Sequence, residues 1–559
     1  MKRISKSQLN DILQKIDGRR YSAYKRLRSI VIDYVYAKAV FTRVQSDPHA
    51  PPSILEITIP AQVHKLPKYL FKSEHIVPFT DYIARVLYRS ATRFSRKRGS
   101  GFSGYIGIPK PSPRILRRSC VDVEKNNIIL RSYIGLPARG RRILGEQAKA
   151  MLLNDVPELI KTIVMLHKKL GEIESHIRNY LDQEYLREWL YKNNYLFFIG
   201  DNSILPRESS ISDKPMRNAI PFKSPRELRV MVKLPSGRTI TGMAVPKGLI
   251  MITGGGYHGK TTLLNSIQEG IYNHVKGDGR ELVVSRKHTI LVRAEDGRII
   301  SHVDISTFIS KLPTHSVTYD FVSLDASGST SMAASINEAI EAGAEILLID
   351  EDTSATNLLY KDEVMNEIVK EEPIRPLCLQ VKNMIEKTNV GVVIIASASS
   401  SFISIADEII LMENFLPIDI TVKAKKQAEK RGILPQQLTY NPPRERVFHG
   451  IRGLRKVKSS GFKIITEYDN GLRFELDLTY YPRIVEKGQV KLITHIIKKL
   501  KSLKRPMSVR ELIRHVNELI RKDGFSAFVK PVLPDLTVVD GFDVVWVLNR
   551  LFNSSFTQR

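Results

Sequence analysis

Apolar and polar positions follow three different patterns along the chain. In the first 220 residues, short alternating stretches at 55–59 and 120–123 predict half-buried strands. Residues 158–193 carry apolar side chains at helical spacing without a proline, which predicts a helix that is broken near Gly171. This first region is therefore expected to mix helices and strands.

The region from about 226 to 417 alternates uniformly apolar runs of strand length with helical patterns. The runs occupy residues 249–252, 290–292, 346–349 and 392–395. Strands that are apolar on both sides imply a sheet that is covered on both faces. We therefore expect an α/β core in this part of the chain.

The remainder of the chain has a third pattern. Residues 462–468 and 472–478 resemble two strands around a turn that contains Asn470 and Gly471. Two helices follow, and the second begins with the capping pattern of Ser508 and Glu511. The sequence thus predicts an α+β domain at 1–220, an α/β domain at 221–420 and an α+β domain at 421–559.

Apolar segments and cysteines indicate where in the cell the protein is expected to act. It contains no apolar run of about 18 residues, so we expect no transmembrane span. Its first residues are charged but no apolar stretch follows them, so no secretory signal is expected. Cys120 and Cys378 lie in contexts that suggest neither pairing nor metal ligation. We expect a cytoplasmic protein without a membrane partner.

Charge is distributed unevenly along the 559 residues. Lys and Arg number 86 against 58 Asp and Glu, which gives a net charge of +28. Residues 1–150 contain 30 basic and 10 acidic side chains, whereas residues 301–400 contain 6 and 15. This asymmetry is typical of a polyanion-binding module joined to another domain. A merely solvated basic face is the alternative.

The strongest local motif follows the apolar run at 249–252. It matches the pattern G-x-x-x-x-G-K-[ST] between a strand and a helix. Glycines let backbone amides wrap phosphates closely, the lysine reaches the outer phosphates, and the hydroxyl holds Mg²⁺. A glycine-rich turn with an exposed lysine is the alternative, and it fits this context poorly. The predicted nucleotide-binding residues are Gly254, Gly255, Gly256, Tyr257, His258, Gly259, Lys260, Thr261 and Thr262.

Two carboxylates, Asp350 and Glu351, end the apolar run at 346–349. Ligands bind at the carboxyl ends of strands in a parallel sheet. An acidic residue there can hold Mg²⁺, while its neighbour orients or deprotonates the attacking water. Many buried strands end in Asp, so this run by itself is weak evidence. Joined to the phosphate loop, it predicts a nucleotide-hydrolysing site.

A third motif consists of Ser327, Gly328 and Ser329, which precede a helical pattern expected to end at Gly343. Small residues and backbone amides at a helix N-terminus form an anion site. An ordinary serine-capped helix start explains this segment better when it is taken alone. The spacing to Asp350 favours the anion site.

These three motifs together resemble those of the ATP-binding-cassette ATPases. In that superfamily a Ser-Gly-Gly signature opens a helix, and its serine precedes the strand-ending Asp by the 23 positions that separate Ser327 from Asp350. More closely, the chain is similar to the family described as predicted ATPases of the ABC class. The sequence motifs shared with this family lie at 45–53, 98–104, 135–142, 203–207, 254–262, 293–298, 326–331 and 349–357.

The resemblance implies a central P-loop cassette domain flanked by N- and C-terminal domains peculiar to the family, and a link to RNA binding. It implies that ATP and Mg²⁺ are the cofactors. Lys260 would contact the β- and γ-phosphates, Thr261 and Asp350 would hold Mg²⁺, and Glu351 would be the general base.

The resemblance also implies a homodimer, because the superfamily sandwiches nucleotide between two cassettes and this chain contains one. Ser327, Gly328 and Ser329 would then approach the γ-phosphate bound by the second subunit.

The chain departs from the superfamily at three places. In the signature, Ala326 replaces the usual leucine and Ser329 replaces the second glycine. Ser397 stands where the switch histidine belongs. No glutamine marks the loop that usually senses Mg²⁺, where Asp304 or Ser306 falls instead. These departures predict slow hydrolysis rather than a loss of nucleotide binding.

Basic and aromatic residues in the first 150 positions are candidates for nucleic-acid binding. Arginine forks suit phosphates, and Phe102 or Tyr105 could stack on an unpaired base. For any single residue, an ordinary basic surface with buried aromatics is the alternative. The predicted nucleic-acid-binding residues are Arg96, Lys97, Arg98, Arg139, Arg141 and Arg142.

Two functions of different classes therefore stay open. The first is a Mg²⁺-dependent ATPase that dimerises on ATP and whose basic N-terminal domain holds RNA. The second is a non-catalytic RNA-binding scaffold that ATP clamps. A coiled-coil DNA-repair ATPase is disfavoured, because only 66 positions separate Thr261 from Ser327 and leave no room for a long heptad insertion.

Overall fold

The computed structural model describes residues 2–312, 317–361, 368, 371–431 and 437–559. The chain divides into two compact units. The first comprises Met1–Tyr180, Glu486–His495 and Lys522–Val538. The second comprises Leu181–Val485, Ile496–Arg521 and Val539–Arg559. Each unit is therefore assembled from segments that lie far apart in the sequence.

Helices occur throughout both units, and the predicted helix at 158–193 is among them. It is observed as two α-helices separated by a short 3₁₀ helix at Met165–Lys169, which places the expected break just before Gly171. The α-helices of the described residues are Lys6–Ile16, Ala61–His64, Ile76–Phe94, Gly145–Lys149, Val156–Val164, Leu170–Lys192, Lys260–Glu269, Gly328–Glu341, Thr356–Leu359, Val381–Thr388, Thr421–Lys430, Lys487–Leu500, Val509–Asp523 and Gly541–Leu548.

The first unit is built on a seven-stranded sheet with the order β1-β2-β3-β4-β7-β5, in which β6 also pairs with β7. Both alternating stretches are confirmed as strands of this sheet, namely β4 and β6. The strands of this unit are β1 (Lys2–Ser5), β2 (Ile30–Asp33), β3 (Lys38–Arg43), β4 (Ser53–Ile59), β5 (Ile106–Gly107), β6 (Val121–Glu124), β7 (Asn127–Ile134), β8 (Ala138–Arg139) and β9 (Arg142–Ile143).

A buried charge cluster lies within the first unit. Asp81 is fully buried on the helix Ile76–Phe94, and its carboxylate accepts from Arg85 Nε at 2.8 Å, from His176 Nε2 at 2.9 Å and from Arg118. The same Arg118 donates from Nε to Glu486 Oε2 at 3.0 Å. Burial by itself raises the pKa of Asp81, but Arg85 and Arg118 lower it overall.

The second unit contains the expected α/β core. Its six-stranded sheet has the order β15-β18-β19-β13-β20-β21 and is parallel except for β21. All four apolar runs predicted as strands lie in this sheet, so the α/β prediction is confirmed. Its strands are β13 (Leu249–Thr253), β15 (Thr289–Val292), β18 (Ile346–Asp350), β19 (Gly391–Ile395), β20 (Glu408–Glu413) and β21 (Leu416–Asp419).

A second, antiparallel sheet of this unit has the order β11-β12-β10-β14. Leu186 and Leu190 of the helix Leu170–Lys192 are buried against it, in a cluster with Phe198 and Val284. Its strands are β10 (Tyr195–Gly200), β11 (Arg229–Lys233), β12 (Thr239–Pro246) and β14 (Val283–Ser285), and a separate pair consists of β16 (Arg298–Val303) and β17 (Phe321–Ala326).

The last part of the chain supplies two three-stranded sheets, in the orders β23-β24-β25 and β26-β22-β27. The hairpin predicted around Asn470 and Gly471 is confirmed as β24 and β25. The capping box is also present, since Ser508 N–H donates to Glu511 Oε2 at 2.9 Å. The strands are β22 (Arg446–Ile451), β23 (Leu454–Ser460), β24 (Lys463–Tyr468), β25 (Arg473–Asp477), β26 (Ser502–Ser508) and β27 (Ser554–Gln558).

Two sequence-based expectations concern membranes and cysteines. Within the described ranges, every helix is too short or too polar to traverse a bilayer. Cys120 and Cys378 are both buried and free.

Replacing Asp81 with Asn is expected to destabilise the first unit by roughly 3–5 kcal/mol, because it removes a carboxylate from a buried charge cluster. Since the folded-state pKa of Asp81 lies below its usual 3.8, the stabilisation is present above that pH and is lost as the pH falls further. Denaturant titration at several pH values, followed by hydrogen exchange in peptides of the first unit, measures the loss of stability and its dependence on pH.

Glu158→Gln is the matched control, because Glu158 forms an exposed pair with Lys161 at 3.5 Å. Its effect is expected to stay within about 1 kcal/mol. An Asp81→Asn protein as stable as this control would show that the buried cluster does not stabilise the unit.

Candidate nucleotide-binding site

The phosphate-loop motif lies between the central strand β13 and the helix Lys260–Glu269. Gly254 and Gly259 have φ values of 138° and 92°, which favour glycine. A Cβ at Gly254 would come within 2.4 Å of the Met412 carbonyl oxygen, so a side chain does not fit there. The loop therefore has the curled, glycine-dependent backbone that the motif requires.

Lys260 occupies the first position of this helix and points back into the loop. Its Nζ donates to the carbonyl oxygens of Gly254 at 2.8 Å and Gly255 at 2.7 Å. The positive charge is thus held beside the N–H groups of a helix N-terminus, an arrangement that suits the phosphates of a nucleotide.

Thr261 and Asp350 meet although they are 89 positions apart in sequence. Thr261 Oγ1 donates to Asp350 Oδ2 at 3.1 Å. Burial raises the pKa of Asp350, an effect that the Asp352 amide and the Thr261 hydroxyl only partly offset. A cation beside this carboxylate would offset the cost of its burial.

The oxygen atoms of Thr261 and Asp350 are candidate ligands for Mg²⁺. The hydroxyl and the carboxylate are hard oxygen ligands of the kind that Mg²⁺ prefers, so the residues fit the ion. Within the described part of the chain, no group of three or more His, Cys, Asp or Glu could hold a metal. Phosphate and water oxygens would therefore have to complete the coordination.

Glu351 lies one position beyond the end of β18, and its carboxylate accepts three hydrogen bonds. Oε2 accepts from the amides of Ser397 at 2.7 Å and Ala398 at 3.3 Å. Oε1 accepts from the Tyr360 hydroxyl. Ser397, the residue expected in place of the switch histidine, thus contacts Glu351 through its backbone. Sequence reasoning missed Tyr360, which no motif marks.

Arg293 is a second residue that sequence reasoning missed. Val292, the last residue of β15, is paired with Ile349 of β18. The next residues of the two segments, Arg293 and Asp350, therefore lie at the same level. The charge of Arg293 acts against the raised pKa of Asp350. The structure therefore places Arg293 at the strand end beside Asp350, whereas Asp304 accepts from the Ser306 amide at 3.0 Å in the loop after β16. The position of Arg293 in the motif at 293–298 is the available sequence signal.

The signature residues lie at the start of the helix Gly328–Glu341, directly after β17. Ser327 is the N-cap residue, and its Oγ accepts from the Thr330 amide at 3.5 Å. Ser329 Oγ donates to Asn357 Oδ1 at 2.9 Å. The first turn of this helix therefore contacts the segment that follows the two carboxylates.

The remaining residues of the phosphate loop have different surroundings. Tyr257 is 100% exposed and has a φ of 63°, which is unusual for a residue other than glycine. The Nδ1 of His258 accepts from the Asn414 amide at 2.8 Å, and this hydrogen bond holds the loop to the turn after β20. Gly256 and Thr262 complete the loop and its helix.

The predicted nucleic-acid-binding residues lie in the first unit, where the structure brings two loops together. The Ser100 amide donates to the Ala138 carbonyl at 2.8 Å, and the Gly140 amide donates to Ser100 Oγ at 2.9 Å. A Cβ at Gly99 would lie 2.0 Å from the Ala138 carbonyl oxygen, so this approach depends on glycine. We call residues 96–104 and 138–143 the paired loops.

The basic side chains of the paired loops differ in exposure. Arg96, Lys97, Arg139, Arg141 and Arg142 are exposed, and Phe102 is 43% exposed beside them in sequence. Arg141 pairs with Asp47 at 3.0 Å but keeps 86% of its side chain exposed. Arg98 pairs with Asp155 and keeps only 9% of its side chain exposed. The paired loops therefore expose five basic side chains and one aromatic ring.

Three family models match most of the chain. Residues 6–167 match the model described as the N-terminal domain of ATPases of the ABC class, and residues 169–445 match the P-loop domain of ABC ATPases. Residues 456–557 match the model described as the MRB1590 C-terminal domain. The two ABC models follow one another almost without a gap, in the order that the motifs implied.

A curated relative gives a partial match. The uncharacterized protein MJ1628 of Methanocaldococcus jannaschii is 34% identical over 253 residues, which cover 42% of this chain and 55% of that protein. The match thus spans about half the length of this relative. With its glycine-dependent phosphate loop and two consecutive ABC-class models over residues 6–445, the chain belongs to the family of ATPases of the ABC class.

Proposed function

We propose that the protein is a Mg²⁺-dependent ATPase that closes two copies of its P-loop domain around ATP and holds RNA with its basic N-terminal region. The convergence of Lys260, Thr261, Asp350 and Glu351 at the carboxyl ends of β13 and β18 carries this proposal. Family membership supports nucleotide binding by this site. The combination of a phosphate loop with two strand-end carboxylates favours hydrolysis.

Each of these side chains has a role in the proposed reaction. When ATP binds, Lys260 Nζ donates to β- and γ-phosphate oxygens in place of the Gly254 and Gly255 carbonyl oxygens. Thr261 and Asp350 would hold Mg²⁺, which would supply positive charge to neutralise the phosphates. Glu351 takes a proton from water as the water oxygen bonds to the γ-phosphorus. The bond between this phosphorus and the bridging oxygen breaks, and ADP leaves with the electron pair.

The proposed dimer uses the signature residues of a second copy. Ser327 and Ser329 offer hydroxyls, and Gly328 offers an amide, at a helix N-terminus that favours negative charge. We assign the P-loop core to residues 221–420 and a separate C-terminal domain to residues 421–559, in keeping with the change of sequence pattern near Pro417.

The proposed RNA surface is formed by the exposed members of the paired loops, within an N-terminal domain that we assign to residues 1–220. Five exposed basic side chains and Phe102 supply phosphate contacts and one stacking surface. Free, buried cysteines fit a protein of the reducing cytoplasm, which is where we propose that it acts.

A second candidate is an RNA-binding scaffold in which ATP acts only as a clamp. The observation that favours it is Ser397, which offers Glu351 an amide but no imidazole. Under this alternative the nucleotide binds and closes the dimer, but phosphate release is negligible.

Glu351→Gln is expected to lower the rate of phosphate release by about 10²–10³-fold, because the amide cannot accept the proton from water. ATP binding should remain, since Gln keeps the size of the side chain. Phosphate release under Mg²⁺-ATP and nucleotide binding by calorimetry measure the two effects. Equal rates in the two proteins would favour the clamp over the enzyme.

The two-chain site predicts complementation between two inactive variants. Lys260→Ala removes the loop lysine, and Ser327→Arg blocks the signature. If the two halves of each site come from different copies, a mixed dimer keeps one intact site. An equal mixture should then recover up to about one quarter of the wild-type rate, given random exchange of subunits.

Each variant alone serves as the control for this mixture and is expected to be inactive. Light scattering of the wild type with Mg²⁺-ATP should show a dimer. A mixture that is no more active than its components would contradict the shared site.

Changing Arg139, Arg141 and Arg142 to Ala is expected to weaken binding of single-stranded RNA. For three lost phosphate contacts, the slope of log affinity against log salt should fall in magnitude by about 2. Fluorescence anisotropy at several salt concentrations measures this slope.

Lys65, Lys68 and Lys72 provide a matched control, because they are exposed lysines of the same unit and their replacement by Ala removes the same charge. Both triple variants should bind ATP as the wild type does. Equal losses of RNA affinity in the two variants would show that the paired loops are not the RNA site.

A further inference from the structure

The hydrogen bonds around Glu351 differ between its two carboxylate oxygens. A carboxylate oxygen has two lone pairs. Oε2 accepts from both the Ser397 and the Ala398 amides, so both of its lone pairs are used. Oε1 accepts from the Tyr360 hydroxyl, which leaves it one lone pair. A proton taken from water can therefore be accepted only at the remaining lone pair of Oε1.

Tyr360 is the donor that fixes the direction of this remaining lone pair. Burial and the neighbouring Glu351 raise the pKa of Tyr360 to about 12. The phenol is therefore neutral near pH 7 and acts as the donor to the carboxylate. Its rigid ring, with few rotatable bonds, holds Oε1 in one orientation at a small cost in conformational entropy.

The backbone around Tyr360 is tied to the signature helix. Tyr360 directly follows the short helix Thr356–Leu359, and its amide donates to the Thr356 carbonyl at 3.1 Å. The same short helix carries Asn357, which accepts from Ser329 at 2.9 Å. One four-residue helix thus links the first turn of the signature helix to the side chain that contacts Glu351.

We propose that Tyr360 is a positioning residue for hydrolysis, which holds Glu351 with its free lone pair available to water. This inference rests on the proposed ATPase function. Ser397 and Ala398 hold the other oxygen through their amides, so within the described part of the chain Tyr360 supplies the one side-chain hydrogen bond to the carboxylate. Tyr360 acts through Glu351 and does not itself touch the nucleotide.

Tyr360→Phe tests the role, because it removes one hydroxyl and keeps the ring. A charge-assisted hydrogen bond is lost, so kcat is expected to fall by about tenfold. The KM for ATP should stay within about twofold, because the phosphate loop and the Mg²⁺ ligands are untouched. Steady-state phosphate release, with ATP affinity measured separately, gives this split between kcat and KM.

Tyr480→Phe is the matched control, since Tyr480 is 79% exposed and lies outside the site. Its kinetics should equal those of the wild type. Melting temperatures of both variants within about 2 °C of the wild type would show that neither change disturbs the fold.

A second comparison separates positioning from a general structural effect. If Tyr360 acts through the Glu351 carboxylate, adding Tyr360→Phe to Glu351→Gln should lower the residual rate by less than twofold. Radiolabelled ATP makes this low rate measurable. A further tenfold loss in the double variant would overturn the inference.

The outcomes also distinguish this inference from the proposed function. A wild-type protein that binds ATP without releasing phosphate would contradict the ATPase itself, and with it any positioning role. A wild-type protein that turns over at the same rate as Tyr360→Phe would contradict only the role of Tyr360.

Discussion

The register of the parallel sheet is the constraint on which the candidate site depends. Ile252 and Asp350 are both level with Ile395, and Val292 is level with Ile349. Because parallel strands end at the same edge, this register brings the loop after β13, the carboxylates after β18 and Arg293 together. A shift of one residue along β18 would turn Asp350 and Glu351 to the opposite faces of the sheet.

The two neighbouring carboxylates have different surroundings, and this difference separates their proposed roles. Asp350 is buried, contacts the Thr261 hydroxyl and has a raised pKa, so its environment favours a nearby cation. Glu351 accepts three hydrogen bonds from Tyr360 and the backbone at 397–398, so its orientation is fixed. One residue thus suits a metal and the other a proton.

Much of the fold could be predicted because it depends on local patterns. Uniformly apolar runs predicted the strands of the α/β core, and alternation predicted β4 and β6, since burial on two faces or on one sets these patterns. The phosphate loop was recognisable because only glycine tolerates its backbone at Gly254. Tyr360 was missed because no motif marks it, and Arg293 was missed because its motif at 293–298 does not show that it lies beside Asp350, which follows from the pairing of β15 with β18.

The sequence by itself determined the class of core, the phosphate loop, the two strand-end carboxylates and the family, because each is encoded in a short run of residues. Only the tertiary structure decided which distant groups meet. The 96–104 and 138–143 segments are hydrogen-bonded to each other, Arg98 forms an ion pair with Asp155, and the Tyr360 hydroxyl donates to Glu351. Such contacts depend on how separate segments pack, and a local pattern carries no record of the partner.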